Sequence, residues 1–570
     1  MRYFAFACDY DGTLADGGVV SPSTLASLQR LKDSGRKPIL VTGRQLDDLF
    51  DVFPAHAIFD RIVADNGAVL YSPATRETKA LGEPPPAAFL DALRLRGVPF
   101  SAGQVIVATV EPYDAAVLDA IREQGLELQV IYNKGSVMIL PSGLNKSTGL
   151  AAALEELCLS EHNTVAIGDG ENDHALLAFC ELGVAVADAI PTLKERADLT
   201  TTLPGSRGVE ELIARILSDD LAGVEPRRPD REILFGKRSG DEGDFAIQSY
   251  GSSLVIAGPS GSGKTTVVRA LIERLVRNDY QVCLIDPEGD YDQLEKFVAL
   301  GSPSRAPEIS EVFQILQNPK SNVSVNLLGV SLADRPIYFG SVFPKLQELR
   351  TRAGRPHWIV IDEAHHLIPK SWDPAVGTLP EKLPETVLVT VDVNSVLPAA
   401  LKSMTGIIAV GPSPGVTIRQ FSEATGSPSP VLEPLPHEKG EVVFWEGGTG
   451  DPIRVKIAPP SDETRRHKRK YAGGELPPDR SFYFKGPEGK LNLRAQNLNI
   501  FIQLAGGVDD DTWLHHLRHS DYSKWMTDNI KDKDLVAEVA AIENNHAAES
   551  AQQSRAQVIE AINKRYTAAE

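Results

Sequence analysis

The chain predicts an α/β fold: two parallel-sheet domains in succession, then a mainly helical module. Three observations carry this reading. Short apolar runs such as FAFAC, PILV and TVAIG alternate with helix-forming stretches. That β-α-β-α-β order implies parallel strands with helices on both faces. The alternation restarts after residue 232 around SLVIA and HWIVI. The runs end abruptly in Asp, Thr or Gly, at the strand ends where open α/β sheets bind ligands. With 570 residues and 61.7 kDa the chain exceeds one ordinary core, so three or four domains are expected.

Composition excludes several classes. Hydrophobic residues make up 42% and charged residues 24%, which are globular values. A net charge of -19 opposes broad binding to nucleic acid and leaves room only for a local basic channel. Cys8, Cys158, Cys180 and Cys283 lie in or beside apolar stretches without metal-ligand spacing, as expected of reduced cysteines in a cytoplasmic protein. The start, MRYFAFACDYDGT, does not read as a signal peptide, and no apolar run approaches bilayer length, so no membrane is expected.

The first strand, Tyr3 to Cys8, ends in Asp9 and Asp11, followed by Gly12 and Thr13. Alternate strand residues share a face, so the two carboxylates can stand together. Such a pair repels unless a cation or a shared proton relieves it, which suits Mg²⁺, a nucleophile, or both. A strand followed by an Asp-Gly turn has the same local pattern, so the rest of the chain decides.

Residues 21–36 suit a helix capped by Ser21, with Pro22 early and Leu25, Leu28 and Leu31 on one face. The strand KPILVTGR ends at Thr42, Gly43 and Arg44. A helix over Gln45 to Phe53 and a strand ending in DNGAVLY follow, with Asp65 and Asn66 at a strand end. The hydroxyl of Thr42 suits a phosphate oxygen. Residues 84–141 form a small α+β insert: a helix, the strand QVIVATVE, a second helix, and the hairpin LELQVIYNKGSVMILP. In LNKSTGLAAALEEL, Lys146 opens a helix, where a cation opposes the dipole unless an anion is bound there. In TVAIGDGENDH a strand ends in Asp169, Gly170 turns, and Asn172 and Asp173 open a helix. These clustered carboxylates again suit a hard cation bound through oxygen.

In this order, DYDGT, a Thr-ending strand, a helix-start Lys and GDGEND resemble the four motifs of the haloacid dehalogenase (HAD) superfamily. The ADNGA run and the insert resemble its type IIB, Cof-like branch, to which sucrose-phosphate, mannosyl-phosphate and phosphoglycolate phosphatases are similar. The resemblance covers residues 1–217. It implies a Rossmann-like sheet with a cap at about 84–143, short for this branch and therefore leaving an open pocket. It implies that Asp9 attacks phosphorus, forming an aspartyl-phosphate, and that Asp11 protonates the leaving oxygen and then activates water. Thr42, Lys146 and Asn172 would hold the phosphoryl group. Mg²⁺ would sit on Asp9, the Asp11 backbone carbonyl and Asp169, with Asp173 helping. Arg44 and Asn66 would contact substrate. An aspartate at position 11 marks phosphatases and phosphomutases in this family.

Residues 218–231 read as a linker. SLVIA then feeds GPSGSGKTT, and a helix follows, which makes this a P-loop. Gly258, Gly261 and Gly263 let backbone N–H groups surround phosphate, Lys264 would reach the β- and γ-phosphates, and Thr265, with Thr266 beside it, would hold Mg²⁺. The strand of HWIVIDEAHH ends in Asp362, suited to hold Mg²⁺ through water, and Glu363, suited to polarise the attacking water. VCLIDPEGDY, Asp286 to Tyr291 at its end, together with DEAHH, resembles HerA/FtsK-type ATPases over 232–459. That implies ATP hydrolysis, a homo-oligomer of the hexameric ring kind, and translocation of nucleic acid. The usual glutamine sensor is missing; Thr390 and Asn394 are the nearest polar residues, and Arg419 is a candidate arginine finger.

A second linker, 460–480, holds the basic run RRHKRK. The module 481–570 is mainly helical. His515, His516 and His519 stand at helical spacing but lack further zinc ligands, so packing or polar contacts are expected. The end, from LVAEVAA to NKRY, reads as amphipathic helix. The leading functional reading is a Mg²⁺-dependent phosphatase of a small phosphorylated metabolite, fused to an ATPase that assembles or regulates it. The alternatives are a ring ATPase on nucleic acid with the first domain processing ends or nucleotides, and a nucleotide-sensing switch.

Overall fold

The computed structural model describes residues 1–224, 226, 232–291, 294–374, 379–380, 382–430, 440–448, 450–460, 476, 481–530, 532–545 and 550–566. Residues 225 and 227–231 of the first linker and the RRHKRK run lie outside the described residues. Two compact units are formed, Met1–Ala458 and Pro459–Glu570.

The first unit holds two large sheets. One runs through β1 (Ala5–Cys8), β2 (Lys37–Val41), β3 (Arg61–Ala64), β4 (Val69–Ser72) and β5 (Glu77–Ala80), and is completed by three later strands. Between them a small antiparallel sheet is made by β6 (Ser101–Ala102), β7 (Val107–Val110), β8 (Leu128–Asn133) and β9 (Ser136–Pro141). The main sheet closes with β10 (Thr164–Gly168), β11 (Leu182–Ala185) and β12 (Leu199–Thr200), in the order β12-β11-β10-β1-β2-β3-β4-β5. From β12 to β3 all neighbours are parallel. β1 is central, with Ala5 level with both Thr164 and Lys37, and its side chains are buried on both faces.

The helix Pro22–Asp33 starts where expected, with the Ser21 hydroxyl accepting from the Thr24 N–H. The stretch expected as one strand through DNGAVLY is instead two. β3 ends at Ala64, the chain turns through Asp65, Asn66 and Gly67 at positive φ, and β4 returns antiparallel. The turn is forced by packing: a Cβ on Gly67 would collide with the Asn145 carbonyl at the start of the helix Lys146–Glu156.

The second sheet comprises β13 (Glu232–Arg238), β14 (Asp244–Gln248), β15 (Leu254–Ala257), β16 (Val282–Asp286), β17 (Phe297–Leu300), β18 (Asn322–Asn326), β19 (Trp358–Ile361), β20 (Thr386–Thr390), β21 (Gly406–Val410), β22 (Glu441–Glu446) and β23 (Ile453–Ile457). Its order is β14-β13-β23-β22-β21-β15-β20-β19-β16-β18-β17. The strands from β21 to β17 are parallel, and the antiparallel edge holds the rest.

The two sheets meet at the amino-terminal ends of their strands. His162, just before β10, donates from Nε2 to the Asn278 carbonyl (2.8 Å) and stacks on Tyr280, just before β16 (3.8 Å between ring centres). His357, just before β19, donates from Nε2 to the Asn163 side-chain oxygen (3.1 Å). Arg355 donates to the Cys158 carbonyl (2.7 Å), and Arg2 lies over the Tyr250 ring (4.3 Å). A cavity of about 310 Å³ opens among these residues.

In the second unit, a hairpin of β24 (Phe482–Phe484) and β25 (Leu493–Ala495) packs with helices around Phe501, Trp513, Tyr522 and Trp525. The final amphipathic stretch forms two helices, Lys533–Asn544 and Ala551–Tyr566, rather than one. The first ends at Asn545, which leaves helical geometry. No described helix is long and apolar enough to cross a membrane.

Candidate active site

β1, β10 and the helix Lys146–Glu156 bring three carboxylates and one ammonium together. Cys8 is level with Ile167, so Asp9 and Asp169 leave adjacent strand ends. Oxygens of Asp9, Asp169 and Asp173 lie within 4.8 Å of one another, and all three residues are buried. Lys146, only 1% exposed, donates to Asp9 Oδ1 (2.5 Å) and Asp173 Oδ1 (2.6 Å). The other Asp173 oxygen accepts from the backbone N–H groups of Asp169 (3.0 Å) and Gly170 (2.9 Å). Thr13 donates to Asp169 (3.2 Å). Gly12 is required here, since a Cβ would meet the Asp169 carboxylate.

Burial, then the neighbouring Asp173, pushes the Asp9 carboxyl up to about 8. Burial likewise raises Asp169. Burial alone would lower Lys146, but Asp173 and Asp9 outweigh it and hold the ammonium charged. The two partners therefore point in opposite senses, Lys146 favouring the ion pair and Asp9 the neutral acid. The charged ammonium is the direction that stands, because it faces two carboxylates at hydrogen-bond distance. The three buried acids outnumber Lys146, their one buried counter-charge, so further positive charge at this site would be favourable. This oxygen-only donor set fits a hard divalent cation.

Thr42 is fully buried after β2, its hydroxyl accepting from the Arg44 N–H (3.1 Å). Arg44 does not hang free. It donates from Nε to Asp11 Oδ2 (2.7 Å), from Nη2 to Asp11 Oδ1 (2.8 Å) and from Nη1 to Asp48 (2.6 Å). Asn172 donates to Asn66 Oδ1 (3.0 Å), leaving Asn66 Nδ2 and Asn172 Oδ1 buried without partners. Asp65 accepts from the N–H groups of Val105 and Ile106 (3.2 and 3.4 Å), tying the small sheet to the main one.

Two residues that sequence reasoning missed enter from the small sheet. Lys134, at the tip of the β8–β9 hairpin, pairs with Asp169, and Asn133 beside it has a buried, unpartnered Oδ1 near Gly170. The only local signal is an Asn-Lys-Gly tip between apolar strands, which any hairpin could carry.

The P-loop lies between β15 and the helix Lys264–Arg277, with Gly261 and Gly263 at positive φ. Gly258 touches the Val410 carbonyl too closely for any side chain. Lys264 is buried and donates to the Gly258 and Pro259 carbonyls (2.9 and 3.2 Å). Thr265 and Thr266 occupy the first helical turn. β19 is one strand away from β15 across β20, and it delivers Asp362 and Glu363. Burial, then Glu363, raises Asp362 to about 8; burial raises Glu363 and lowers Lys264. Glu363 adopts left-handed backbone (φ 41°), a strained geometry for a non-glycine residue. His365 lies 3.4 Å from Glu363 and 3.3 Å from the Thr390 hydroxyl. Asn394 and Arg419 are exposed. Asp286 is buried and accepts from the N–H groups of Glu288 and Tyr291 (3.2 and 2.9 Å).

Of the three C-terminal histidines, His516 accepts from the Lys485 N–H (3.0 Å) and pairs with Asp521 (2.7 Å), while His519 donates to the His515 carbonyl (2.6 Å). Among the described residues, Asp9, Asp169 and Asp173 are the group with metal-ligand geometry.

Two family models match the two sheet domains separately. The model of the haloacid dehalogenase-like hydrolase family matches residues 6–82 and 109–213, and that of the helicase HerA central domain matches residues 248–343. Phosphoglycolate phosphatase 2 of Saccharolobus solfataricus is 31% identical over 227 residues, covering 37% of this chain and 91% of the relative. A phosphoglycolate phosphatase of Methanothermobacter thermautotrophicus is 29% identical over 224 residues, covering 37% and 98%. With almost a whole relative aligned across the Asp9 centre, the chain belongs to the haloacid dehalogenase-like hydrolase family and carries a HerA-type central domain in the same polypeptide.

Proposed function

We propose that the chain is a Mg²⁺-dependent phosphomonoesterase of small phosphorylated metabolites, fused to an ATP-hydrolysing domain with an assembly or regulatory role. The reading divides the chain into a phosphatase domain (1–217, cap about 84–143), an ATPase domain (232–459) and a helical module (481–570). Asp9 attacks phosphorus and the ester oxygen leaves, taking a proton from Asp11. Asp11 then takes a proton from the water that attacks the aspartyl-phosphate, releasing phosphate and restoring Asp9. Thr42, Lys146 and Asn172 hold the phosphoryl oxygens, and Asn66 faces the substrate. Asp9, Asp169, Asp173 and the Asp11 carbonyl would hold Mg²⁺, which when bound supplies the positive charge that keeps Asp9 ionised and offsets the phosphoryl oxygens.

The observation that carries this is the buried three-carboxylate cluster braced by Lys146. Relatives named phosphoglycolate phosphatases favour a small substrate. Buried Lys264, facing strained Glu363, supports ATP turnover with Asp362 and Thr265 on a second Mg²⁺. The HerA match favours a homo-oligomer, while the net charge of -19 weighs against nucleic acid as its partner. A cytoplasmic setting suits both activities.

The test is phosphate release from a panel of 2-phosphoglycolate and sugar phosphates, with Mg²⁺ or with chelator, with and without ATP. Release that needs Mg²⁺ and falls at least about a thousandfold in Asp9→Asn is expected. No release from any member sinks the reading. Glu363→Gln is expected to bind ATP but lose at least about a hundredfold in ATP turnover. DNA-stimulated turnover would favour the nucleic-acid alternative.

A further inference from the structure

We propose that His365 positions the Glu363 carboxylate for ATP turnover, through one Nδ1 proton that it offers to both Glu363 and the Thr390 hydroxyl. This rests on the ATP-hydrolysing half of the reading above and adds to it the group that aims the base at the attacking water.

The arrangement follows from a short, bent piece of chain. β19 leads into Asp362, Glu363 takes left-handed backbone (φ 41°), and a helix of four residues, Ala364–Leu367, starts at once. Two residues beyond Glu363, His365 brings Nδ1 to 3.4 Å from Glu363 Oε2 and to 3.3 Å from Thr390 Oγ1. The side chains of Glu363 and His365 are each 17% exposed. Thr390 is fully buried at the end of β20, and its carbonyl accepts from the N–H of Gly258 (3.3 Å), where the P-loop begins. The ring thus links the acid at the end of β19 to the strand that flanks the P-loop.

The hydrogen bonds decide the tautomer. Thr390 donates its hydroxyl proton to the Asp392 carbonyl (3.0 Å), so it faces the ring as an acceptor. An ionised Glu363 can only accept. Nδ1 therefore carries the ring proton and shares it between two oxygens, which is why both contacts are long. Burial, then His366 and Lys264, holds the imidazole down to about 4, so it is neutral at pH 7. A neutral donor orients a carboxylate and leaves it basic, whereas a cation would lock it in a tight ion pair. The second acceptor completes the device. When Glu363 turns to a water, Thr390 keeps the Nδ1 proton satisfied, so the movement leaves no buried donor without a partner.

The experiment measures steady-state ATP turnover with Mg²⁺ in the full-length chain, and the affinity for a non-hydrolysable ATP analogue by calorimetry. His365→Ala is expected to lower kcat about tenfold to a hundredfold while the analogue binds within about twofold of the parent. His365→Asn places an amide N–H where Nδ1 stands and should return kcat to within about threefold of the parent; His365→Gln places its N–H near the Nε2 position and should return little. In single turnovers of Glu363→Gln, adding His365→Ala should change the rate by less than about twofold, because both substitutions act through one carboxylate. A parent-like kcat in His365→Ala, equal rescue by Asn and Gln, or the full loss repeated in Glu363→Gln overturns the proposal. So does a weakened analogue affinity at unchanged kcat, which would make His365 a nucleotide contact. If the parent turns over ATP and His365→Ala matches it, this proposal fails while the ATPase reading stands. No turnover in the parent overturns both.

Discussion

Arg44 grips both carboxylate oxygens of Asp11 in a two-pronged bond, at 2.7 and 2.8 Å, and anchors its third nitrogen on Asp48. The fork holds the proposed acid–base group in one orientation at a half-exposed strand end, where it would otherwise rotate. The bond to Asp11 is the main reason the guanidinium holds its proton more tightly than usual.

Arg44→Lys should therefore lower kcat by about tenfold to a hundredfold, inside the range that one positioned acid–base group contributes, with KM little changed. Steady-state kinetics on the best panel substrate checks this. A rise in KM at constant kcat would mean that Arg44 binds substrate instead.

Lys146→Met should cost about 3–5 kcal/mol of stability in chelator, because it leaves the Asp9 and Asp173 carboxylates buried without their ammonium. Part of the loss should return with Mg²⁺, which binds only the folded site. Urea unfolding with chelator and with Mg²⁺ measures both. Equal stability of variant and parent in chelator would contradict the ion-pair account.

The junction between the sheets should weaken in acid. Burial, then the neighbouring His162, holds His357 well below its usual 6.5. Its neutral ring accepts from the Gln281 N–H (2.7 Å) and donates to Asn163 (3.1 Å). The unfolded chain binds a proton near 6.5 that the folded chain refuses. The stability is therefore intact above about pH 6.5 and lost as pH falls below it. Thermal melts from pH 7 to 5 should show the decline, and His357→Gln should flatten it. Some slope will remain, since burial also lowers His365, His366 and His516.

The gathering of these residues at strand ends was readable because its signals are local. Asp9, Thr42, Lys146 and Asp169 each follow an apolar run or open a helix, and parallel strands bring such ends together whatever the loops do. The P-loop was readable for the same reason. What escaped depends on contacts between distant segments. Lys134 meets Asp169 only because the cap folds over the sheet. The reversal at Asp65–Gly67 follows from the approach of Asn145, which no periodicity records. The contact of Arg44 with Asp11 is set by the spacing of β1 and β2 rather than by either motif. His162 and His357 sit in unremarkable loops until the two sheets dock.

The junction joins the two sheets by their starting ends, and both sets of acids leave the finishing ends. At about 3.3 Å per residue, strands of four or five residues put the centres on the order of 30 Å apart, facing opposite ways. What the shared polypeptide does fix is stoichiometry: each P-loop arrives with one phosphatase domain, and any assembly of one carries an equal number of the other.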